Sequence, residues 1–131
     1  MHDSNPGALF IYVAQQLSRF GLAYLHIVEP RVNGNTPIKP DQGPIAAEQL
    51  RKVFKGKILA AGGFEPETAE ATVESGIADA VAFGRHFVAN PDLPLRIREG
   101  VALTPYDRDT FYTFEAKGYN DYPLANELAS R

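Results

Sequence analysis

The sequence predicts an α/β protein built on a parallel sheet. Three observations predict it. Short apolar runs recur at residues 22–28, 57–61 and 79–83; segments with helical spacing or helix start and stop signals fill the intervals; and every run ends at a proline or glycine.

The first helix is set by Ser4 or Asn5, either of which can accept a free N–H, by Pro6 at the first helical position, and by Leu9, Phe10, Val13, Ala14, Leu17 and Phe20 at helical spacing, with Gly21 as its stop. Leu22-Ala23-Tyr24-Leu25-His26-Ile27-Val28 follows as a buried strand, and Glu29-Pro30 ends it. Residues 31–43 hold Asn33-Gly34-Asn35 and Asp41-Gln42-Gly43 and read as a polar loop. Pro44 opens a second helix whose buried face is Ala47, Leu50, Val53 and Phe54. The pattern then repeats. Lys57-Ile58-Leu59-Ala60-Ala61 is a strand ending in Gly62-Gly63, Pro66 begins a helix that runs to Glu74 with Gly76 as its stop, and Asp79-Ala80-Val81-Ala82-Phe83 is a third strand ending in Gly84-Arg85. A short helix over 85–89 is broken by Asn90-Pro91, and Asp92 caps another that reaches Glu99 before Gly100.

Two architectures fit this alternation: a small doubly wound sheet, or part of a (β/α)8 barrel, in which each strand–helix unit takes about 30 residues of roughly 250. Three strands cannot close a barrel, so on the second architecture the chain leaves open sheet edges through which it can self-associate. The expected division is a partial barrel over 1–100 and a tail over 101–131, where Tyr106, Phe111, Tyr112, Phe114, Tyr119 and Tyr122 crowd a segment without a clean period. Composition removes several function classes. With 13 basic against 16 acidic residues, scattered along 131 positions, there is no cationic field for nucleic acid. The absence of cysteine excludes a disulfide scaffold, thiol catalysis and Cys-ligated metals, and it fits a reducing compartment, with the cytoplasm as the default. No run is long enough to span a membrane, and the N-terminus lacks the features of a signal peptide.

The residues able to carry chemistry sit at strand ends. Gly62-Gly63 and Gly84-Arg85 let backbone approach a ligand closely, and with the start of the short helix and the donor fork of Arg85 they suit a phosphate; the alternative is that the glycines merely turn the chain and Arg85 is solvated. His26 lies in a strand and reads as structural, His86 follows Arg85, and three histidines so dispersed make no metal site. Glu67, Glu70 and Glu74 form a solvated helical face, and Arg51, Lys52, Lys55 and Lys57 gather where the second helix ends, which suits its dipole.

Taken in order, Asp3-Ser4-Asn5-Pro6, Tyr24-Leu25-His26 with Glu29-Pro30-Arg31, Ala61-Gly62-Gly63-Phe64, Ala82-Phe83-Gly84-Arg85, Asn90-Pro91-Asp92-Leu93-Pro94, the stretch from Tyr106 to Tyr112, and Gly118-Tyr119-Asn120-Asp121-Tyr122-Pro123 resemble the C-terminal part of Old Yellow Enzyme-type flavin reductases, including the 12-oxophytodienoate reductases. The resemblance spans essentially the whole chain. It implies the (β/α)8 barrel over the doubly wound sheet, FMN as cofactor, NAD(P)H as reductant, and ene-reduction of α,β-unsaturated carbonyl compounds. It implies that Gly62, Gly63 and Phe64 meet the FMN phosphate and the adjoining flavin, that Gly84 and Arg85 form the second phosphate-binding turn, and that Phe111 borders the flavin and Tyr112 the substrate pocket. It also implies that the family's carbonyl-binding His pair and proton-donating Tyr lie on earlier strands, so no catalytic residue is assigned here. The alternative is a truncated, non-catalytic remnant that binds a phosphate group or a protein partner.

Overall fold

The computed structural model describes residues 4–30, 32–33, 36–37 and 46–129. The chain divides into two compact units, residues 1–82 and 83–131.

In the first unit, helix α1 (Pro6–Leu17) starts where the sequence places it: the Asn5 side chain accepts the Ala8 N–H at 3.2 Å and Pro6 takes the first turn. The helix stops at Leu17, and Gly21 then turns the chain at φ +60°. Ser18 fixes this end, donating its hydroxyl to the Val53 carbonyl at 3.2 Å and accepting the Lys55 N–H at 3.3 Å. Strand β1 (Leu25–Val28) is shorter than the apolar run of 22–28. The reason lies in its partner: β4 (Ile58–Ala61) begins opposite Leu25, so residues 22–24 have no ladder to join, and Leu22 and Tyr24 remain exposed.

Within the expected polar loop, Val32–Asn33 (β2) and Thr36–Pro37 (β3) pair antiparallel as a minimal hairpin. Arg31, Pro44 and the remainder of 31–45 lie outside the described residues. Helix α2 is described over Ala46–Arg51, with Ala47, Leu50 and the following Phe54 buried and Val53 only half-buried. Helix α3 (Pro66–Glu74) and strand β5 (Ala80–Ala82) complete the unit. Glu67, Glu70 and Glu74 are exposed along α3, as the sequence indicates.

The sheet is parallel throughout, in the order β1-β4-β5, with Leu25 opposite Ile58 and Leu59 opposite Ala80. Ile58 and Ala60 of the central strand, Ile27 of β1, Ala14, Ala47 and Leu50 of the helices, and Phe54 beyond α2 form the core. At the amino-terminal edge of the strands, Asp79 is the joint. It accepts from Lys57 Nζ at 2.8 Å, the Ile58 N–H at 2.9 Å, and Arg51 Nη2, while Arg51 also donates to the carbonyls of Gly56 and Ile77 at 2.9 and 3.2 Å. Two members of the basic cluster expected only to complement a helix dipole therefore tie helix α2 and strand β4 to the entry of β5.

The second unit holds helices α4 (Arg85–Ala89) and α5 (Leu93–Glu99), a 3-10 turn at Arg108–Thr110, and helix α6 (Ala125–Ala129). Its centre is polar. Arg96 is fully buried and donates to Asp92 at 2.7 Å, Thr104 Oγ1 at 3.0 Å, the Ala102 carbonyl at 3.3 Å and the Pro123 carbonyl at 2.7 Å. Asp92 stands at the start of α5 but makes no side-chain cap there; its carboxylate accepts from Arg96 and, at 2.8 Å, from the Ala125 N–H. Buried Asn90 donates to the His86 and Thr104 carbonyls at 2.8 and 3.1 Å and accepts the Thr104 N–H at 2.7 Å. The break at Asn90-Pro91-Asp92 thus organises the chain that follows it. Gly118 is buried at φ +74°, and a Cβ there would run into the Thr110 side chain.

Two predictions test these joints. Hydrogen bonding from Lys57, then from the Ile58 N–H, and the charge of Arg51 hold the Asp79 carboxyl well below the ordinary carboxylate range, against the opposing effect of desolvation. A depressed folded-state pKa contributes stability that is present above the unfolded value, about pH 4, and is lost as pH falls through the folded one. Asp79→Asn should cost about 1–2 kcal/mol at neutral pH and flatten the acid limb of stability below about pH 4, as read by melting curves across pH. Arg96→Met should cost about 3 kcal/mol or more, because it leaves the Asp92 carboxylate without its cation and takes a donor from the Ala102 and Pro123 carbonyls, and hydrogen exchange should then quicken across α5 and residues 101–125.

Candidate functional site

A parallel sheet delivers every strand's carboxyl end to one edge, which is where α/β folds bind ligands. Here Val28 pairs with Ala61 and Ala61 with Ala82, so three chains leave the sheet at one level. They continue as Glu29-Pro30, Gly62-Gly63 and Phe83-Gly84-Arg85. The Asp79 joint lies at the opposite edge, the one associated with stability rather than chemistry.

At the end of β4, Gly62 and Gly63 have φ of +102° and +68°, conformations in which a side chain is strained, so the turn is made of bare, half-buried backbone. Phe64 directly after them is buried, 4% exposed, and its ring is a packing element. At the end of β1, Glu29 is fully buried, and its two carboxylate oxygens accept the Ala46 and Ala47 N–H groups at 3.0 and 2.8 Å. In sequence Glu29 reads as a strand stop, and β1 does end before it; in the structure it also ties the first described residues of α2 to the carboxyl edge of the sheet. Nothing in residue order announces a contact across 17 positions.

In the second unit, Gly84 precedes α4 at φ −96°, which any residue can adopt, and a Cβ there would meet nothing within 4 Å. Neither backbone conformation nor packing among the described residues calls for glycine there. The guanidinium of Arg85 stands 5.9 Å from the centroid of the Tyr106 ring. Tyr106 also meets His86 edge-on at 5.6 Å and Phe111 at 5.6 Å, while Phe83 meets His86 at 6.3 Å and Phe111 meets Tyr112 at 6.4 Å. The sequence singles out Arg85, Phe111 and Tyr112, and this unit brings them together in one aromatic string. Tyr106 is the member that sequence reasoning left without a role; its signal was the density of aromatics beyond residue 101. Tyr112, 80% exposed, ends the string at the surface.

His26 is an exposed residue of β1 and His2 lies outside the described residues. Among the described residues no group of three or more His, Cys, Asp or Glu could hold a metal, and no helix is long and apolar enough to cross a membrane.

The profile of the NADH:flavin oxidoreductase / NADH oxidase family matches residues 2–104. The chain belongs to that family. It is 43% identical over 129 residues to a 12-oxophytodienoate reductase-like protein of Solanum lycopersicum, covering 98% of this chain and 34% of the relative, and 42% identical to 12-oxophytodienoate reductase 2 of Arabidopsis thaliana, covering 97% and 34%. Among solved structures it is similar to the old yellow enzyme from Trypanosoma cruzi, at 36% identity, TM-score 0.84 and coverage of 96% of this chain and 32% of that one. It is also similar to morphinone reductase in complex with tetrahydroNAD, at 42% identity, TM-score 0.80 and coverage of 99% and 33%. The chain spans about a third of the length of these relatives. Of the two architectures the alternation allowed, the family selects the barrel: the three parallel strands and their helices are a portion of a (β/α)8 barrel, not a closed one.

Proposed function

We propose that this chain supplies the phosphate-holding portion of an FMN-dependent, NAD(P)H-consuming ene-reductase. The observation that carries the proposal is the placement of glycine beyond two adjacent parallel strands whose last residues, Ala61 and Ala82, are register partners. Gly62 and Gly63 offer backbone that carries no side chain, Gly84 leaves open space among the described residues where a Cβ would stand, and Arg85 brings a fixed positive charge suited to a phosphate's oxygens. These residues fit a phosphate-bearing cofactor. With Phe64 packed in the core, its contribution to a flavin would come through its backbone. Phe111 is assigned to the flavin's border, and exposed Tyr112 to the substrate.

Bound FMN would supply hydride transfer from the nicotinamide to the electron-poor alkene of an α,β-unsaturated carbonyl compound. This chain's part is to anchor and orient. Arg85, steadied by the Tyr106 ring, holds the phosphate, and Tyr112 presents its hydroxyl to the substrate side. The groups that bind the substrate carbonyl and donate the proton are assigned to the rest of the barrel.

The test is a covalent fusion of the chain to the part of morphinone reductase that it does not cover. Arg85→Ala removes a hydrogen-bonding partner of a charged group, a loss of about 1.5–3 kcal/mol, so the FMN Kd of the fusion should rise about ten- to a hundredfold. In the same fusion Tyr112→Phe should change kcat or KM for the enone while leaving FMN occupancy unaltered. An Arg85→Ala fusion that binds FMN as tightly as its parent removes the phosphate role, and unchanged kinetics in Tyr112→Phe return that residue to packing.

A further inference from the structure

The 3-10 turn at Arg108–Thr110 runs straight into Phe111 and Tyr112, so the placement of both rings follows from the placement of the turn. Its entry is closed locally. The Asp107 carboxylate accepts the Asp109 N–H at 3.1 Å, and the Asp107 carbonyl accepts the Thr110 hydroxyl at 2.8 Å. Other contacts come from later in the chain. The Tyr122 hydroxyl accepts the Asp107 N–H at 3.0 Å. Gly118, buried at φ +74°, lies so close to buried Thr110 that a Cβ on it would overlap the threonine side chain. Gly118 is fixed in turn by its N–H, which donates to Asp121 Oδ1 at 2.7 Å, and Tyr122 is followed by Pro123, whose carbonyl accepts from buried Arg96 at 2.7 Å. Residues 118–123 therefore brace the turn against the polar centre of the unit. Because Tyr112 is 80% exposed, packing confines its ring little, and the backbone from which it springs sets where the hydroxyl stands.

We propose that Tyr122 and Asp121 are positioning residues: acting through the Asp107 N–H and through Gly118 against Thr110, they set where Tyr112 presents its hydroxyl to the substrate. The inference rests on the assignment of Tyr112 to the substrate, and its test separates the two. The Tyr122 bond is exposed, so water can take over the Asp107 N–H once the hydroxyl is gone. The fold then survives and the direction of the turn is lost. A substrate-binding group needs that direction, because its contacts with a ligand depend on a supporting shell that holds it within a fraction of an ångström. Asp121 works in the same way from the other side: without its carboxylate the Gly118 N–H has no fixed partner, and the backbone that abuts Thr110 can draw away.

The experiment has a structural and a kinetic arm. In the full 131-residue chain with 3-fluorotyrosine at position 112, the fluorine resonance reads the ring current of Phe111, whose centroid stands 6.4 Å from that of residue 112. Tyr122→Phe and Asp121→Ala should each move this resonance toward that of the free amino acid while the circular dichroism spectrum is kept. Asp121→Asn retains an acceptor for the Gly118 N–H and should leave the resonance at its parental position. In the covalent fusion, Tyr122→Phe and Asp121→Ala should raise the KM for the enone by about three- to tenfold with the FMN Kd unaltered, and Tyr122→Phe should add nothing further in a Tyr112→Phe background. A fluorine resonance indifferent to both variants, or a KM effect of Tyr122→Phe that persists undiminished without the Tyr112 hydroxyl, would overturn the proposal. Failure of the substrate assignment reads differently: Tyr112→Phe then leaves the enone kinetics unchanged while the fluorine resonance still responds to Tyr122 and Asp121, which upholds the brace and removes the substrate from the role of Tyr112.

Discussion

Parallel pairing of β4 with both β1 and β5 is the constraint from which the rest of the structure follows. It aligns Val28, Ala61 and Ala82 at one level and so decides which side of the sheet can do chemistry. It also requires a helical crossover between successive strands, which accounts for α2 and α3 and leaves the opposite edge to structural work. Asp79 holds that opposite edge. By accepting from Lys57, Ile58 and Arg51 it ties the entry of β5 to β4 and α2.

The two units solve the same problem by different physics. The first buries apolar residues between helices and sheet. The second has few such residues and is organised around the guanidinium of Arg96 and the amide of Asn90, each satisfied by several partners. Such a polar centre specifies geometry closely, because a misplaced segment leaves a buried group unpaired. That precision suits residues 83–112, where Arg85, Tyr106, Phe111 and Tyr112 must keep their order along one string of rings.

The alternation of strands and helices was legible because apolar runs and Pro/Gly punctuation are local signals. Strand ends were not, since residues 22–24 are as apolar as 25–28 and only the length of the partner β4 excludes them. The glycines at the strand ends were legible as glycines, and Gly62 and Gly63 adopt the positive φ that glycine takes without strain. β1 does end before Glu29-Pro30, but the partners of the carboxylates were not legible, for the opposite reason. Glu29 reads as a strand stop and Asp92 as a cap, whereas each reaches a backbone N–H that only tertiary folding brings near, at Ala46 and Ala47 in one case and at Ala125 in the other. Arg96 gave no signal at all: an arginine in a helix looks solvated until the chain beyond residue 101 folds over it.

The central claim is that bare backbone beyond β4 and β5 receives a phosphate. Its most direct measurement is nuclear magnetic resonance of the covalent fusion with glycine labelled by nitrogen-15, titrated in parallel with FMN and with riboflavin, which lacks the phosphate. The amides of Gly62, Gly63 and Gly84 should shift with FMN and move far less with riboflavin. Equal shifts with the two flavins, or shifts confined to other glycines, would contradict the claim.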